Sequence, residues 1–375
     1  MRRGFLFGIL LVAAGRGFAQ GGPALPAVDA KSYYLVDAVS GVVLAESGAG
    51  EPLDPASLTK LMTAYLAFGA LDRGEFTLED QVPVSEKAWR ATGSRMFIEV
   101  GSQVALGDLL HGLIIQSGND AAIAIAEYLA GTQEAFVERM NETAAALGMS
   151  GTSYRNPNGL PASGHRSTTR DTAILARALI DEYPQYYPIF SEREFTFNSI
   201  PQHNRNNLLW RDDSVDGLKT GYTSAAGYCL VSSAARDGMR LIAVVFGSQT
   251  ADSRTESSMA LLEYGFDAFE THRLFARGEQ LAEARVFKGK HDVLPLGPAE
   301  DVVVTIPRGT YASLVASAAL KIEPVAPLEH DQVVGELEIR LGDELLSALP
   351  LVALDAIAEG WFLARMADGI ALWFD

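Results

Sequence analysis

The chain has 375 residues, 48% hydrophobic and 21% charged, with a formal net charge of −17. That composition excludes a disordered chain, and the length suffices for two domains with a sizeable core. The acidic balance argues against nucleic acid as a partner, because its phosphates would be repelled.

Residues 1–19 read as a secretory signal peptide. Met1-Arg2-Arg3 is a basic start, residues 4–14 are mostly apolar but too few to span a bilayer, and Gly17 and Ala19 are the small residues before a cut after Ala19. Residues 20–30, rich in Gly, Pro and Ala, form a linker. Residues 33–36 and 42–44 are predicted strands of a hairpin around Ser40-Gly41. After Pro55, the apolar residues Leu58, Leu61, Met62, Tyr65 and Leu66 keep helical spacing. Ser57 and Lys60 are then one helical turn apart, on one face of the helix start. Residues 109–115 and 121–130 are helical runs, separated by Ser117-Gly118-Asn119, with Gly118 expected to permit the turn.

Residues 169–180 and 254–269 are further predicted helices. Residues 217–223, 228–234 and 240–246 are predicted strands, the last two joined by the hairpin signal Asp237-Gly238. Cys229 is the single cysteine. No intrachain disulfide is possible, which fits an exported bacterial envelope protein, and the thiol is expected on a buried strand. Short alternating segments at 280–287, 302–306, 321–325 and 336–341 suggest a small all-β domain. The reading is an α+β chain: an antiparallel sheet with helices at 31–271, a small β-rich domain at 272–355, and an amphipathic C-terminal anchor helix at 356–375. In that last segment Phe362, Leu363, Met366, Ile370, Trp373 and Phe374 gather on one side of a helical wheel, which suits a membrane surface.

Ser57-Leu58-Thr59-Lys60, Ser117-Gly118-Asn119 and Lys219-Thr220-Gly221 occur in this order. Ser-x-x-Lys alone arises by chance roughly once in a chain this long. The ordered set supplies a nucleophile with its base, a polar bridge and a cationic strand edge. A serine hydroxyl needs a base. Lys60 serves only if neutral, and both burial and a second cation, Lys219, would lower its pKa. Ser117 can pass a proton to a leaving amine, and Asn119 can hold a substrate amide. Lys219 and Thr220 offer a cation and a hydroxyl to a carboxylate, while Gly221 leaves room for a ligand chain along the strand edge. The backbone N–H groups of Ser57 and Tyr222 are the expected oxyanion hole. No cofactor is implied. The six histidines are scattered, no pair has metal-ligand spacing on a helix, and His111 and His165 read as packing or surface residues.

The three strings are the signature of penicillin-binding proteins and class A β-lactamases. With Ser94-Arg95-Met96-Phe97, Asn156-Pro157-Asn158-Gly159-Leu160, His203-Asn204-Arg205-Asn206-Asn207-Leu208-Leu209-Trp210 and Val215-Asp216-Gly217, the chain resembles the low-molecular-mass penicillin-binding D-alanyl-D-alanine carboxypeptidases of the membrane-attached type. The resemblance runs from about Lys31 to the C-terminus. It implies that Ser57 attacks the bond between the terminal D-alanines of a peptidoglycan stem peptide, that β-lactams trap Ser57, and that Arg205 assists the terminal carboxylate. It implies the periplasmic face of the bacterial cytoplasmic membrane as the place of action. Tyr222 departs from the histidine of a well-known member. Three alternatives share these residues: a D,D-endopeptidase on cross-links, a slow β-lactamase, and a catalytically silent peptidoglycan-binding module. Class A β-lactamases use a Glu to activate water, and none lies between Tyr154 and Asp171.

Overall fold

The computed structural model describes residues 6–9 and 24–361. The leader apart from Leu6–Ile9, and the terminal helix beyond residue 361, lie outside the described residues. The chain divides into two compact units, Pro23–Asp267 and a second formed by Ala268–Asp375 with Met1–Gly22.

In the first unit, β1 (Ser32–Asp37), β2 (Val43–Ser47), β3 (Val215–Thr223), β4 (Gly227–Arg236) and β5 (Met239–Ser248) form an antiparallel sheet in the order β2-β1-β5-β4-β3. The strand carrying Lys219-Thr220-Gly221 is therefore an edge. Asp237 and Gly238, both at positive φ, turn β4 into β5. The helices are α1 (Lys60–Asp72), α2 (Leu106–Ile114), α3 (Asn119–Ala130), α4 (Gln133–Ala146), α5 (Thr169–Glu182) and α6 (Ala251–Ala268).

The expected amphipathic helix around Ser57 needs correction. Ala56–Thr59 is a 3-10 turn, and the α-helix begins at Lys60. Leu61, Met62, Ala64, Ala67 and Phe68 are fully buried, so α1 is apolar on nearly every side and runs through the core. Burial of Leu61 or Phe68 contributes about 1.5–3 kcal/mol each.

The second unit has its own core, including Leu294, Leu337 and Ile339. Its six-stranded antiparallel sheet runs in the order Leu6–Ile9, Leu314–Leu320, Val333–Leu341, Glu344–Ala353, Val293–Pro298, Ala282–Arg285. Phe269–Phe275 pairs with Val302–Pro307. The strand expected at 321–325 is absent: the chain turns there, and the strand is Leu314–Leu320. Two of its three buried residues are small, Ala316 and Ala318, facing Ile339 and Leu337 across the ladder, so its alternation carries little hydrophobic contrast. Ile357 bridges to Leu328 and Glu359 to Gly289, so the start of the segment read as a terminal helix is extended.

Candidate active site

Ser57 sits in the 3-10 turn at the N-terminal end of α1, and Lys60 opens the helix. Lys60 Nζ lies 3.0 Å from Ser57 Oγ, 2.7 Å from Asn119 Oδ1 and 2.6 Å from the Asn158 carbonyl. Only 1% of Lys60 is exposed. An ammonium buried beside α1 would cost several kcal/mol without partners. Burial pushes the Lys60 pKa down to about 7, aided by the Arg205 guanidinium and opposed by the Asp120 carboxylate. The expected cation, Lys219, interacts with Lys60, as the lowering of its own pKa by Lys60 shows, and Arg205 is a second cation acting on Lys60.

Two loops hold this turn in place. Asn156 Oδ1 accepts from the Gly159 N–H at 2.7 Å, and Thr63 Oγ1 donates to the Pro157 carbonyl at 2.7 Å, which aims the Asn158 carbonyl at Lys60. Gly159, at φ +83°, lies so close that a Cβ there would overlap the Ala56 carbonyl. His165 Nδ1 accepts the Arg155 N–H at 3.0 Å, so Nε2 carries the proton and donates to Thr59 Oγ1 at 2.8 Å. Burial, then Arg155, lowers the His165 pKa to about 4, so it is a neutral packing residue. No cluster of metal-binding side chains occurs among the described residues.

In the second motif the left-handed residue is Ser117, φ +63°, and not Gly118. Gly118 is required because a Cβ there would meet Asp120 Oδ1 at 2.8 Å and the Gly112 carbonyl at 3.2 Å. Asn119 lines the cleft; its Oδ1 accepts from Lys60, and its Nδ2 donates to the Thr92 carbonyl at 2.6 Å.

Lys219 is buried, and its Nζ donates to the Thr220 carbonyl at 3.1 Å. Burial holds its pKa well below the usual lysine range, with Lys60, Arg205 and Arg254 adding to the effect. At Gly221 a Cβ would come within 3.2 Å of Ala56 Cβ, the Pro55 carbonyl and Ser57 N. The edge of β3 therefore touches the turn that carries Ser57. Tyr222, about half exposed, packs its ring against Tyr228 with centroids 4.3 Å apart.

A cleft of about 650 Å³ is lined by Ser57, Ser117, Asn119, Arg205, Thr220, Gly221 and Tyr222. Lys60 and Lys219 stand behind this wall. Among the described residues, no Asp or Glu lines the cleft, although the chain is strongly acidic. Three participants escaped the sequence reading. Arg254 lines the cleft from α6, is 6% exposed, and its Nε has no hydrogen-bond partner among the described residues; no local motif marks it. Asn158 acts through its carbonyl, which side-chain identity does not reveal. Asp120 adjoins a motif and could have been found as a carboxylate in the first turn of a helix.

The arrangement provides an activated hydroxyl, a proton acceptor in contact with it, and a cationic wall for an anionic ligand. The family model for D-alanyl-D-alanine carboxypeptidase matches residues 19–250, and that for the C-terminal domain of penicillin-binding protein 5 matches residues 269–359. The chain is 45% identical to D-alanyl-D-alanine carboxypeptidase DacC of Escherichia coli, across 93% of this chain and 89% of that protein. It is 44% identical to DacA of the same organism, across 94% and 89%. Among solved structures, penicillin-binding protein 5 from Haemophilus influenzae has a TM-score of 0.87 at 38% identity, covering 90% of this chain and 100% of that one. Penicillin-binding protein D2 from Listeria monocytogenes, solved in an ampicillin-bound form, has a TM-score of 0.59 at 32% identity, covering 64% and 98%.

Proposed function

The chain belongs to the D-alanyl-D-alanine carboxypeptidase family of serine peptidases, and from that premise we propose that Ser57 is the nucleophile that removes the terminal D-alanine from peptidoglycan stem peptides. The observation that carries the reading is the 3.0 Å approach of Lys60 Nζ to Ser57 Oγ, on a cleft that no Asp or Glu among the described residues lines. A neutral amine has two N–H groups and one lone pair. As an ammonium, Lys60 Nζ donates to all three neighbours, the Asn119 and Asn158 oxygens and Ser57 Oγ; once neutral, it keeps two N–H groups for the Asn oxygens and turns its lone pair to the Ser57 hydroxyl.

In this reading Lys60 takes the Ser57 proton as Oγ attacks the carbonyl of the penultimate D-alanine. The oxyanion falls to the N–H groups of Ser57 and Tyr222. Ser117 delivers a proton to the departing amine and is reprotonated by the Lys60 ammonium, so that D-alanine leaves and Lys60 is neutral again. Water then attacks the ester, giving its proton to Lys60 and its hydroxyl to the acyl carbon, and the proton passes from Lys60 to the released Ser57 oxygen. Lys219, Thr220, Arg205 and Arg254 receive the terminal carboxylate, Gly221 admits the peptide along β3, and Asn119 orients Lys60. β-Lactams acylate Ser57 by the same attack. No Glu among the described residues lines the cleft, which favours slow release of that adduct over β-lactamase turnover.

The test is D-alanine release from a pentapeptide ending in D-Ala-D-Ala, run beside a cross-linked dimer. We expect release from the pentapeptide and little cleavage of the dimer; the opposite preference would make the enzyme an endopeptidase.

The carboxypeptidase role is assigned to residues 31–271, with export by residues 1–19 and action at the periplasmic face of the bacterial cytoplasmic membrane. No helix among the described residues is long and apolar enough to cross a membrane. Residues 360–375 carry the apolar stripe suited to an interface. Deleting them should release the protein from phospholipid vesicles while D-alanine release persists. A truncated form that still sediments with vesicles would place the anchor elsewhere.

A further inference from the structure

Asp120 is 1% exposed and lies in the first turn of α3, directly after Asn119. Its Oδ1 accepts the Met96 and Ala121 N–H groups, each at 3.0 Å, and its Oδ2 accepts those of Phe97 at 2.9 Å and Ile98 at 3.4 Å. The segment it grips is tied to Asn119 a second time: the Ser94 carbonyl accepts the Asn119 backbone N–H at 2.7 Å, and the Thr92 carbonyl accepts its side-chain Nδ2. From the opposite side, buried Gln202 donates through Nε2 to the Met96 carbonyl at 3.1 Å. Phe97 is held at φ +70°, a conformation non-glycine residues avoid unless fixed.

We propose that Asp120 is a positioning residue for the reaction: by clamping the backbone of residues 96–98 it fixes the segment that locks the Asn119 amide, and the amide oxygen in turn holds Lys60 Nζ against Ser57. The chain of contacts is continuous. Asp120 binds the 96–98 backbone, the Thr92 and Ser94 carbonyls just before it accept from the Asn119 side chain and backbone N–H, and Asn119 Oδ1 binds Lys60. Freed from the clamp, the Asn119 amide can rotate, and the base loses its orientation. The Asp120 charge has a second effect on Lys60. The charged groups that bear on Lys60 are Arg205 and Lys219, which disfavour its ammonium, and Asp120, which favours it.

This inference rests on Ser57 and Lys60 being the nucleophile and base, so wild type and Ser57→Ala are run alongside. The experiment compares wild type with Asp120→Asn, following D-alanine release and acylation by a fluorescent penicillin across pH. Misplacement of a catalytic group can cost up to ~100-fold, and we expect kcat to fall roughly 10- to 100-fold with KM little changed. The acid limb should move to lower pH, because Lys60 without its nearby carboxylate stays neutral further into acid. An unchanged kcat overturns the proposal. So does a fall in kcat with an unmoved acid limb and a lowered Tm, which would make Asp120 structural only. If Asp120→Asn does not fold, Gln202→Leu decides: it loosens the same segment without removing charge. A several-fold loss of kcat with an unmoved acid limb supports the clamp, and an unchanged kcat overturns it. Failure of Ser57→Ala to lose acylation would instead reject the nucleophile itself.

Discussion

Ser57→Ala is expected to lose covalent labelling by penicillin and to lower D-alanine release by about 10⁴-fold or more, the scale seen when a nucleophile that acts with its base is removed. Ser57 lies in a turn whose backbone is set by Pro55, Gly159 and Gly221, so the variant should keep the fold. Leu58 N–H still donates to the Pro55 carbonyl at 3.1 Å, and Lys60 retains its bonds to Asn119 and Asn158. Its Tm should therefore stay close to that of wild type, as for the loss of one partly exposed hydroxyl. Digestion and mass spectrometry of the penicillin-treated wild type should place the adduct on the peptide containing Ser57. An adduct on Ser117 or any other side chain would reject the assignment.

Lys60→Met should lower the acylation rate by about 10²- to 10⁴-fold, the usual contribution of a positioned base. The pH profile distinguishes loss of the base from simple damage. In the wild type, acylation should fall as pH drops below about 7, because protonation of Lys60 removes the lone pair that accepts the Ser57 proton. In the variant, that limb should vanish, leaving a low and flat rate. Methionine fills most of the same volume. It leaves the Asn119 and Asn158 oxygens without their donor, at a cost of about 1–3 kcal/mol per unsatisfied group. Removing the desolvated amine offsets part of this. A Lys60→Met enzyme that kept both its rate and its acid limb would mean that another group accepts the proton.

Much of the fold was legible in the chain because its signals are local. Asp237-Gly238 marks a hairpin through backbone conformation alone, and β4 and β5 meet there. The apolar runs of α2, α5 and α6 appear where helical spacing puts them, within a few residues at each end. The Leu314–Leu320 strand was misplaced because alanine gives little alternation, and its pairing partners lie beyond a turn. The role of Gly118 was misread for a related reason: which residue of a turn takes positive φ depends on what packs around it, and here Asp120 and Gly112 crowd the glycine.

By itself the sequence determined the reagents: a serine and a lysine one turn apart, an amide-bearing break between helices, and a lysine on a strand edge. These are matters of residue type and short spacing, which the backbone translates directly into geometry. Only the tertiary structure decided how the reagents act. It seals Lys60 in an apolar helix, sets Arg205 and Asp120 on it with opposite effects, and turns the Asn119 amide inward to Lys60. Desolvation and Coulomb interactions act through space between groups distant in the chain, so no local pattern of residues encodes them.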